Sequence, residues 1–167
     1  MFGVSSSKPE LDVPEILGAL TRRGVDFVVI GGIAAIIHGS PRNTFDVDVC
    51  FAPDDANLDA LGQVLVEIGA RLRGIDEDVP FVPDAATLRR VEVLTLITRF
   101  GSLDVLARPA GAPRYDVLRD RSERVDASGF FVRVASLPDL ISMKRAAGRP
   151  KDLADVAELE AIERLRR

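Results

Sequence analysis

Two aspartates one residue apart, Asp46 and Asp48, have the spacing in this chain that most clearly predicts chemistry. They lie in the apolar segment 45–51, FDVDVCF, whose alternation is typical of a β-strand. Residues i and i+2 of a strand point to the same face, so both carboxylates would project together. Such a pair repels itself and is costly to desolvate. A hard divalent cation removes that cost, and Mg2+ prefers oxygen ligands together with substrate phosphates.

A pair of glycines, Gly31 and Gly32, ends the apolar run 27–30, and thirteen residues separate it from Asp46. Glycine allows the backbone to approach a neighbouring group closely. The pair lacks the Gly-x-Gly-x-x-Gly spacing, so a dinucleotide-binding fold is not predicted. Each motif alone has an ordinary alternative, since most Asp-x-Asp sequences are solvated loops or strand ends. The combination is much more specific than either part.

A third carboxylate, Asp104, lies inside the apolar segment 103–106, LDVL. If this strand neighbours the one with Asp46 and Asp48, three carboxylates meet at one edge of the sheet. We expect them to converge within about 4–8 Å, a distance that one or two shared metal ions can bridge. Such a site can hold Mg2+ and deprotonate a hydroxyl for in-line attack on a phosphate.

These motifs together resemble the nucleotidyltransferase superfamily of the DNA polymerase β type. The closer resemblance is to the small bacterial nucleotidyltransferases of the AbiEii-type toxin group and their relatives. It is carried by segments 38–48, HGSPRNTFDVD, and 136–159, SLPDLISMKRAAGRPKDLADVAEL, and covers roughly residues 25–160. Many superfamily members carry Gly-Ser where this chain has Gly31-Gly32, so a serine hydroxyl that would touch the nucleotide phosphates is missing here.

The resemblance implies a nucleotidyltransferase fold and a set of site residues. The fold class is α/β (α+β), with a mixed β-sheet flanked by helices and a C-terminal helical pair. The implied catalytic and metal-binding residues, with Mg2+ or Mn2+ as cofactor, are Asp46, Asp48 and Asp104. The implied nucleotide-binding residues are Gly31, Gly32, Arg42, Thr44, Lys144 and Asp152.

Several of these residues have a structural alternative. Arg42 could meet phosphate oxygens with its guanidinium, or form a salt bridge with Asp46 or Asp48 in the empty site. Thr44 suits a strand-start hydroxyl that steadies the loop. Asp152, with Asp155, suits a cap of the last helix, while the resemblance suggests that one of them contacts the nucleotide.

A cluster of cations near the C-terminus also allows two interpretations. Lys144, Arg145, Arg149 and Lys151 lie within eight residues with no acid among them. They are either solvated charges stabilised at a helix end or a clamp for a triphosphate. Lys144 is the best clamp candidate because apolar residues flank it within the predicted helix. The lone histidine, His38, is interpreted as a structural residue.

Composition agrees with a compact protein. The 167 residues are 47% hydrophobic with a net charge of −4, which predicts a sizeable core and no global attraction to nucleic acid or anionic membrane. The one cysteine, Cys50, allows no disulfide within the chain, which suits a reducing cytoplasm. We predict a disordered N-terminus over residues 1–10, one nucleotidyltransferase domain over 11–167, and no membrane span.

Periodicity and turn signals predict alternating helices and strands. Helices are expected at 13–23, 33–38, from 54 or 55 to about 72, 137–147 and 151–165. Strands are expected at 26–30, 45–51, 91–99, 103–107 and 130–135. Residues 73–90 are expected to form a loop, and the polar segment 114–128 a surface.

The resulting hypothesis is a Mg2+-dependent transferase that moves a nucleoside monophosphate from an NTP to an acceptor. The resemblance suggests a component of a toxin–antitoxin pair that acts on the tRNA 3′ end, with tRNA or another RNA and a cognate antitoxin or toxin as partners. The alternative is a catalytically inactive nucleotide- or partner-binding module of the same fold.

Overall fold

The computed structural model of the protein describes residues 8–75 and 81–167. Most of the N-terminal segment predicted to be disordered, and part of the predicted loop 73–90, lie outside the described residues. The helices are α1 Val13–Arg22, α2 Gly31–Ile37, α3 Asp55–Glu67, α4 Ala85–Arg90, α5 Tyr115–Arg121, α6 Leu137–Ala147 and α7 Pro150–Leu165. The strands are β1 Phe27–Ile30, β2 Asp46–Phe51, β3 Arg71–Leu72, β4 Val93–Thr98, β5 Gly101–Leu106, β6 Glu123–Asp126 and β7 Phe131–Val134.

Over the described ranges the strands form one mixed sheet in the order β3-β4-β5-β2-β1-β7-β6. The pairs β2–β5 and β1–β7 are parallel, and the other neighbouring strands are antiparallel. The predicted α/β fold, a mixed sheet flanked by helices with a C-terminal helical pair, is confirmed. The strands β2 and β5, which carry the three predicted site aspartates, therefore lie side by side at the centre of the sheet.

The core explains why these two strands are fixed in register. Val47 and Val49 of β2 and Leu103 and Val105 of β5 are completely buried. Because side chains alternate along a strand, the apolar residues hold one face of each strand in the core. The aspartates between them are thereby held on the opposite face.

The second half of the site is carried by the C-terminal helical pair. Ser136 caps α6 by accepting a hydrogen bond from the backbone N–H of Asp139, and Gly148 ends the helix in the left-handed conformation at φ 67°. Pro150 then begins α7, as proline does well in a first helical turn. These signals place Lys144 in the last turn of α6 and Asp152 and Asp155 in the first two turns of α7.

Two sequence predictions of secondary structure need correction. The helix predicted to run to about residue 72 ends at Glu67, because Gly69 turns the chain at φ 68° and Arg71–Leu72 pairs with β4. The predicted loop 73–90 contains α4, which Asp84 caps. The polar segment 114–128, predicted as a surface, contains α5 and the edge strand β6, and Leu118 is its one buried residue.

Within residues 8–75 and 81–167, every helix is too short or too polar to cross a membrane.

Candidate active site

The three predicted carboxylates lie on two adjacent parallel strands. Asp48 pairs in register with Asp104, and Asp46 pairs with Ser102. In-register residues of neighbouring strands project to the same side of a sheet, so the sheet gathers all three carboxylates on one face. Their catalytic and metal-binding roles remain predictions.

Asp46, Asp48 and Asp104 are here called the acid cluster, whose environment disfavours the charged forms of Asp48 and Asp104. Burial, reinforced by the nearby carboxylates of Asp104 and Asp46, raises the pKa of Asp48 to about 7 from an ordinary 3.8. Burial also raises the pKa of Asp104, although the guanidinium of Arg73 opposes that rise. Burial is the largest cause of both raised pKa values, and the neighbouring carboxylates add to it, so ionising all three acids together is unfavourable here.

The raised pKa of Asp48 predicts a pH dependence of stability. The folded protein keeps a proton on Asp48 that the unfolded chain, with a pKa of 3.8, releases. The resulting stabilisation is complete below the unfolded pKa and is lost as the pH rises through about 7. We therefore expect the free energy of unfolding of the metal-free wild type to fall relative to that of Asp48→Asn between about pH 4 and about pH 7 and to level off above that. Urea unfolding at a series of pH values measures this; parallel pH profiles for the two proteins would contradict it.

The glycine pair is explained by two close approaches. Ile30 pairs with Asp48, so α2 starts at Gly31 directly beside that carboxylate. Gly31 has φ 67°, and a Cβ at this position would lie 2.1 Å from Asp48 Oδ2. A Cβ at Gly32 would lie 2.7 Å from Thr44 Oγ1. Any side chain at either position would therefore have to displace a residue of the site.

Thr44 fills the space beside Gly32. Its hydroxyl donates a 3.2 Å hydrogen bond to the backbone carbonyl of Asp46, which fits the predicted role in steadying the strand start. A serine at position 32 would compete with this hydroxyl for the same space. The presence of Thr44 is thus a local reason for Gly-Gly in this chain.

The helices α6 and α7 contribute a second group of charged side chains to the site. Lys144 Nζ lies 3.1 Å from Asp155 Oδ2 and 3.6 Å from Asp152 Oδ1. Asp152 is fully buried and accepts hydrogen bonds from the backbone N–H of Arg149, at 3.2 Å, and from its Nε, at 2.6 Å. These bonds with Arg149 lower the pKa of Asp152. Asp152 therefore caps the N-terminus of α7 and also helps to hold Lys144.

Two arginines reach the site, with partners that sequence reasoning did not predict. Arg42 pairs with Asp155, so the alternative of a salt bridge to Asp46 or Asp48 is wrong. Arg73 makes the contact with the strand acids: its Nη1 lies 3.2 Å from Asp46 Oδ1 and its Nη2 lies 2.9 Å from Asp104 Oδ1. Arg73 was missed because it follows the short edge strand β3, where a helix end and a loop were predicted.

His38 and Cys50 have structural environments. His38 is buried, and its Nε2 lies 2.8 Å from the carbonyl oxygen of Ala135. Cys50 is buried in β2, and burial raises the pKa of its thiol to about 12, so the thiol stays protonated. Neither residue lines the cavity of the site.

The residues of the strands and of the C-terminal helices line a common cavity of about 360 Å³. Acids from β2 and β5 line it together with basic side chains from α6 and the start of α7 and with two acids of α7, Asp155 and Glu158. Of the predicted site residues, Gly31 and Asp152 lie behind the lining. The lining includes Gly32, Arg42, Thr44, Asp46, Asp48, Arg73, Asp104, Lys144, Arg149, Lys151 and Asp155.

The donor set has the chemistry of a hard-cation site, since it offers carboxylate oxygens and an excess of negative charge. As they stand, however, no three carboxylate, histidine or cysteine side chains in the described part of the chain are arranged to hold a metal ion. Arg73 contacts two of the three acids instead.

Solved structures place the fold in the nucleotidyltransferase class. The lincosamide antibiotic adenylyltransferase LnuA, solved with lincomycin bound, is 17% identical over 92% of this chain and 99% of its own, with a TM-score of 0.60. An antigenic nucleotidyltransferase-like protein from Paracoccidioides brasiliensis is 20% identical over 92% of this chain and 74% of its own, with a TM-score of 0.56. ANT(2")-Ia, solved in complex with adenylyl-2"-tobramycin, is 18% identical over 90% of each chain, with a TM-score of 0.54.

The family comparison is more specific. A family model described as "Nucleotidyltransferase of unknown function (DUF6036)" matches residues 13–166, and the protein therefore belongs to this family. The resemblance to nucleotidyltransferases is confirmed at this level, while membership of the AbiEii-type group stays a prediction. No curated protein matches the chain.

Proposed function

We propose that this protein is a divalent-metal-dependent nucleotidyltransferase, with Mg2+ or Mn2+ as cofactor, that transfers a nucleoside monophosphate from an NTP to a hydroxyl of an acceptor. The observation that carries the proposal is the in-register pairing of Asp48 with Asp104, with Asp46 on the same face, in a cavity that Lys144, Arg149 and Lys151 also line. These three cations are called the basic wall below. This arrangement offers separate places for a metal ion and for a chain of phosphates.

Each part of the site has a role in this reaction. Asp46, Asp48 and Asp104 would hold the metal, which when bound stabilises charge on the transferred phosphate. The acceptor oxygen forms a bond to the α-phosphorus as the bond from that phosphorus to the pyrophosphate oxygen breaks. Asp104 is our choice for the carboxylate that takes the hydroxyl proton, since it lies on β5, beside the acid pair of β2 and not within it.

The basic wall and the glycine pair would bind the triphosphate. Lys144 and Arg42 both form ion pairs with Asp155, which holds the two cations at the cavity, where they would contact phosphate oxygens. Gly32 offers its backbone N–H, Thr44 steadies that backbone from the side, and Gly31 allows α2 to begin against Asp48. Asp152 acts indirectly in this scheme, through Lys144 and Arg149.

We expect Lys144→Ala to weaken binding of a Mg2+–NTP by about 1–3 kcal/mol, the range for losing a charge-assisted hydrogen bond. Calorimetric titration measures the change. Arg145→Ala is the matched control, because Arg145 is the next cation of α6 but its side chain is exposed and pairs with Glu160. Equal affinities for wild type and Lys144→Ala would leave Lys144 as a helix-end charge.

For the acceptor, we propose an RNA, specifically the tRNA 3′ end, in a cytoplasmic toxin–antitoxin pair of the AbiEii type with a cognate partner protein. The support is the sequence resemblance together with the concentration of Arg42, Lys144, Arg149 and Lys151 at the cavity, which suits a polyphosphate or a nucleic-acid end. The structural neighbours suggest another acceptor class, the antibiotics. LnuA was solved with lincomycin bound, and ANT(2")-Ia was solved with an adenylylated tobramycin.

A labelled-acceptor experiment separates these acceptors. Purified protein is incubated with Mg2+ and each α-phosphate-labelled NTP, in parallel with total RNA, tRNA trimmed at its 3′ end, lincosamides and aminoglycosides. We expect label on RNA that is lost when the 3′ hydroxyl is oxidised. Label on an antibiotic alone would overturn the RNA assignment and leave nucleotidyl transfer standing.

A second candidate function is a catalytically inactive nucleotide- or partner-binding module. The specific observation in its favour is Arg73, whose guanidinium lies between Asp46 and Asp104, together with Gly32 in place of the serine common in the superfamily. NTP binding without transfer to any acceptor class would favour this module.

A further inference from the structure

Arg73 contacts the two acids between which a bound cation would be expected. Its two terminal nitrogens contact carboxylates from two different strands, Asp46 on β2 and Asp104 on β5. We propose that Arg73 is a built-in counter-ion of the acid cluster, which a divalent cation displaces and which then binds the nucleotide phosphates. The second half of this inference rests on the proposed function for the nature of the ligand.

The strength of the contact suits an exchangeable ion. The side chain of Arg73 is 25% exposed, that of Asp104 19% and that of Asp46 42%. Asp46 is exposed enough for water to screen its pair with Arg73, so that pair contributes little net free energy, whereas the Arg73–Asp104 pair is partly buried. Arg73 can therefore neutralise the cluster when no metal is bound and still yield to a doubly charged ion.

The arrangement of the acids supports displacement rather than coexistence. Arg73 contacts Asp46 and Asp104, and with Arg73 in place no three of the described acidic, histidine or cysteine side chains form a metal-holding group. Arg73 holds Oδ1 of both Asp46 and Asp104, so a metal ion that used all three strand acids would compete with it for two of the three carboxylates. The charge of the metal ion would also repel a guanidinium left between the same carboxylates.

The backbone around Arg73 allows the side chain to move alone. The N–H of Arg73 donates a 2.9 Å hydrogen bond to the carbonyl oxygen of Thr95 on β4, which ties this residue to the edge of the sheet. Gly74 follows with φ 80° and open space around it. The exchange thus requires new side-chain torsions of Arg73 and no rearrangement of the sheet.

The cavity provides a place for the Arg73 side chain after a metal ion has displaced it. Arg73 lines the same cavity as Lys144, Arg149 and Lys151, the cations proposed to bind the triphosphate. A planar guanidinium with several donors matches two phosphate oxygens at once. A released Arg73 would therefore approach the nucleotide from the strand side while Lys144 approaches from the helix side.

The test measures Mn2+ binding alone, without turnover. We expect Arg73→Ala to bind Mn2+ about tenfold more tightly than wild type, because the competing cation is gone, a factor that corresponds to about 1.4 kcal/mol. Calorimetry and the loss of the free-Mn2+ paramagnetic signal both report it. Arg73→Gln removes the charge but keeps a polar side chain of similar length. If both variants bind Mn2+ more tightly, the effect comes from loss of the charge and not from misfolding of Arg73→Ala. Arg23→Ala is the matched control, since Arg23 forms an exposed pair with Glu67 at 2.8 Å on the surface.

A second titration gives the opposite sign. In the presence of saturating Mn2+, an ATP analogue with a methylene group between its α- and β-phosphorus should bind about tenfold more weakly to Arg73→Ala than to wild type. A residue with a merely structural role would not shift the two affinities in opposite directions.

Unchanged or weaker Mn2+ binding by both Arg73 variants would overturn the proposal, and unchanged analogue binding would overturn its phosphate-binding half. The proposed function fails separately. If wild type transfers no label but the two opposed shifts are found, catalysis is refuted while the exchange of Arg73 stands.

Discussion

Asp48→Asn should reduce nucleotidyl transfer by about 10²–10⁴-fold while the fold stays intact. Asparagine nearly preserves the shape of the side chain but removes a metal-binding charge. A bound metal supplies several kcal/mol of charge stabilisation in the transition state, and each ~1.36 kcal/mol is tenfold in rate. Turnover is measured by label transfer from an α-labelled NTP, and folding by circular dichroism and a melting curve.

The stability of this variant is a second readout. The pKa of Asp48 is raised to about 7 by burial and by its acidic neighbours, so at neutral and higher pH the wild type must hold a crowded charge. We expect Asp48→Asn to melt at an equal or higher temperature than wild type without metal. Asp59→Asn, an exposed position on α3, is the control for loss of one acid. Robust transfer by Asp48→Asn would refute the metal mechanism.

Gly31→Ala should disable the site through a single methyl group. Gly31 adopts φ 67°, which costs a residue with a Cβ about 1–2 kcal/mol. The new Cβ would also lie 2.1 Å from Asp48 Oδ2, so α2 or the carboxylate must move. We expect a loss of stability larger than the backbone cost alone, and a loss of transfer of about tenfold or more, since misplacing a catalytic group by about 1 Å can cost 10²-fold.

Gly69→Ala separates the two causes. Gly69 has nearly the same backbone, φ 68°, but no atom within 4 Å of a built Cβ. The difference in the free energy of unfolding between Gly31→Ala and Gly69→Ala therefore isolates the contact with Asp48. If the two variants are equally stable and both keep wild-type turnover, the close approach of α2 to Asp48 has no functional consequence.

The face that carries the acids could be predicted from sequence because it depends on local periodicity. Val47 and Val49 alternate with Asp46 and Asp48, and a period of two fixes which residues share a face. That β5 would neighbour β2 was an expectation about topology, supported by the apolar segment around Asp104. The C-terminal helices were equally accessible, since Ser136, Pro138, Gly148 and Pro150 mark their ends.

The ion-pair partners of long charged side chains could not be predicted from the sequence in the same way. Arg42 pairs with Asp155, 113 residues away in the chain, and no local pattern distinguishes that acid from the nearer Asp46. Arg73 was hidden by a second effect. Leu65, Ile68 and Leu72 continue a helical spacing, whereas the structure turns at Gly69 and forms a two-residue edge strand. Tertiary pairing with β4 overrides the local pattern there.

Nucleotidyl transfer by the site of Asp46, Asp48 and Asp104 can be tested with one pair of labelled substrates. Wild-type protein is incubated with Mg2+ and total RNA, once with NTPs labelled at the α-phosphate and once with NTPs labelled at the γ-phosphate. We expect α-label on the acceptor and γ-label released as pyrophosphate, both abolished by chelating the metal. Label from the γ-phosphate on the acceptor, or metal-independent transfer of the α-label, would contradict it.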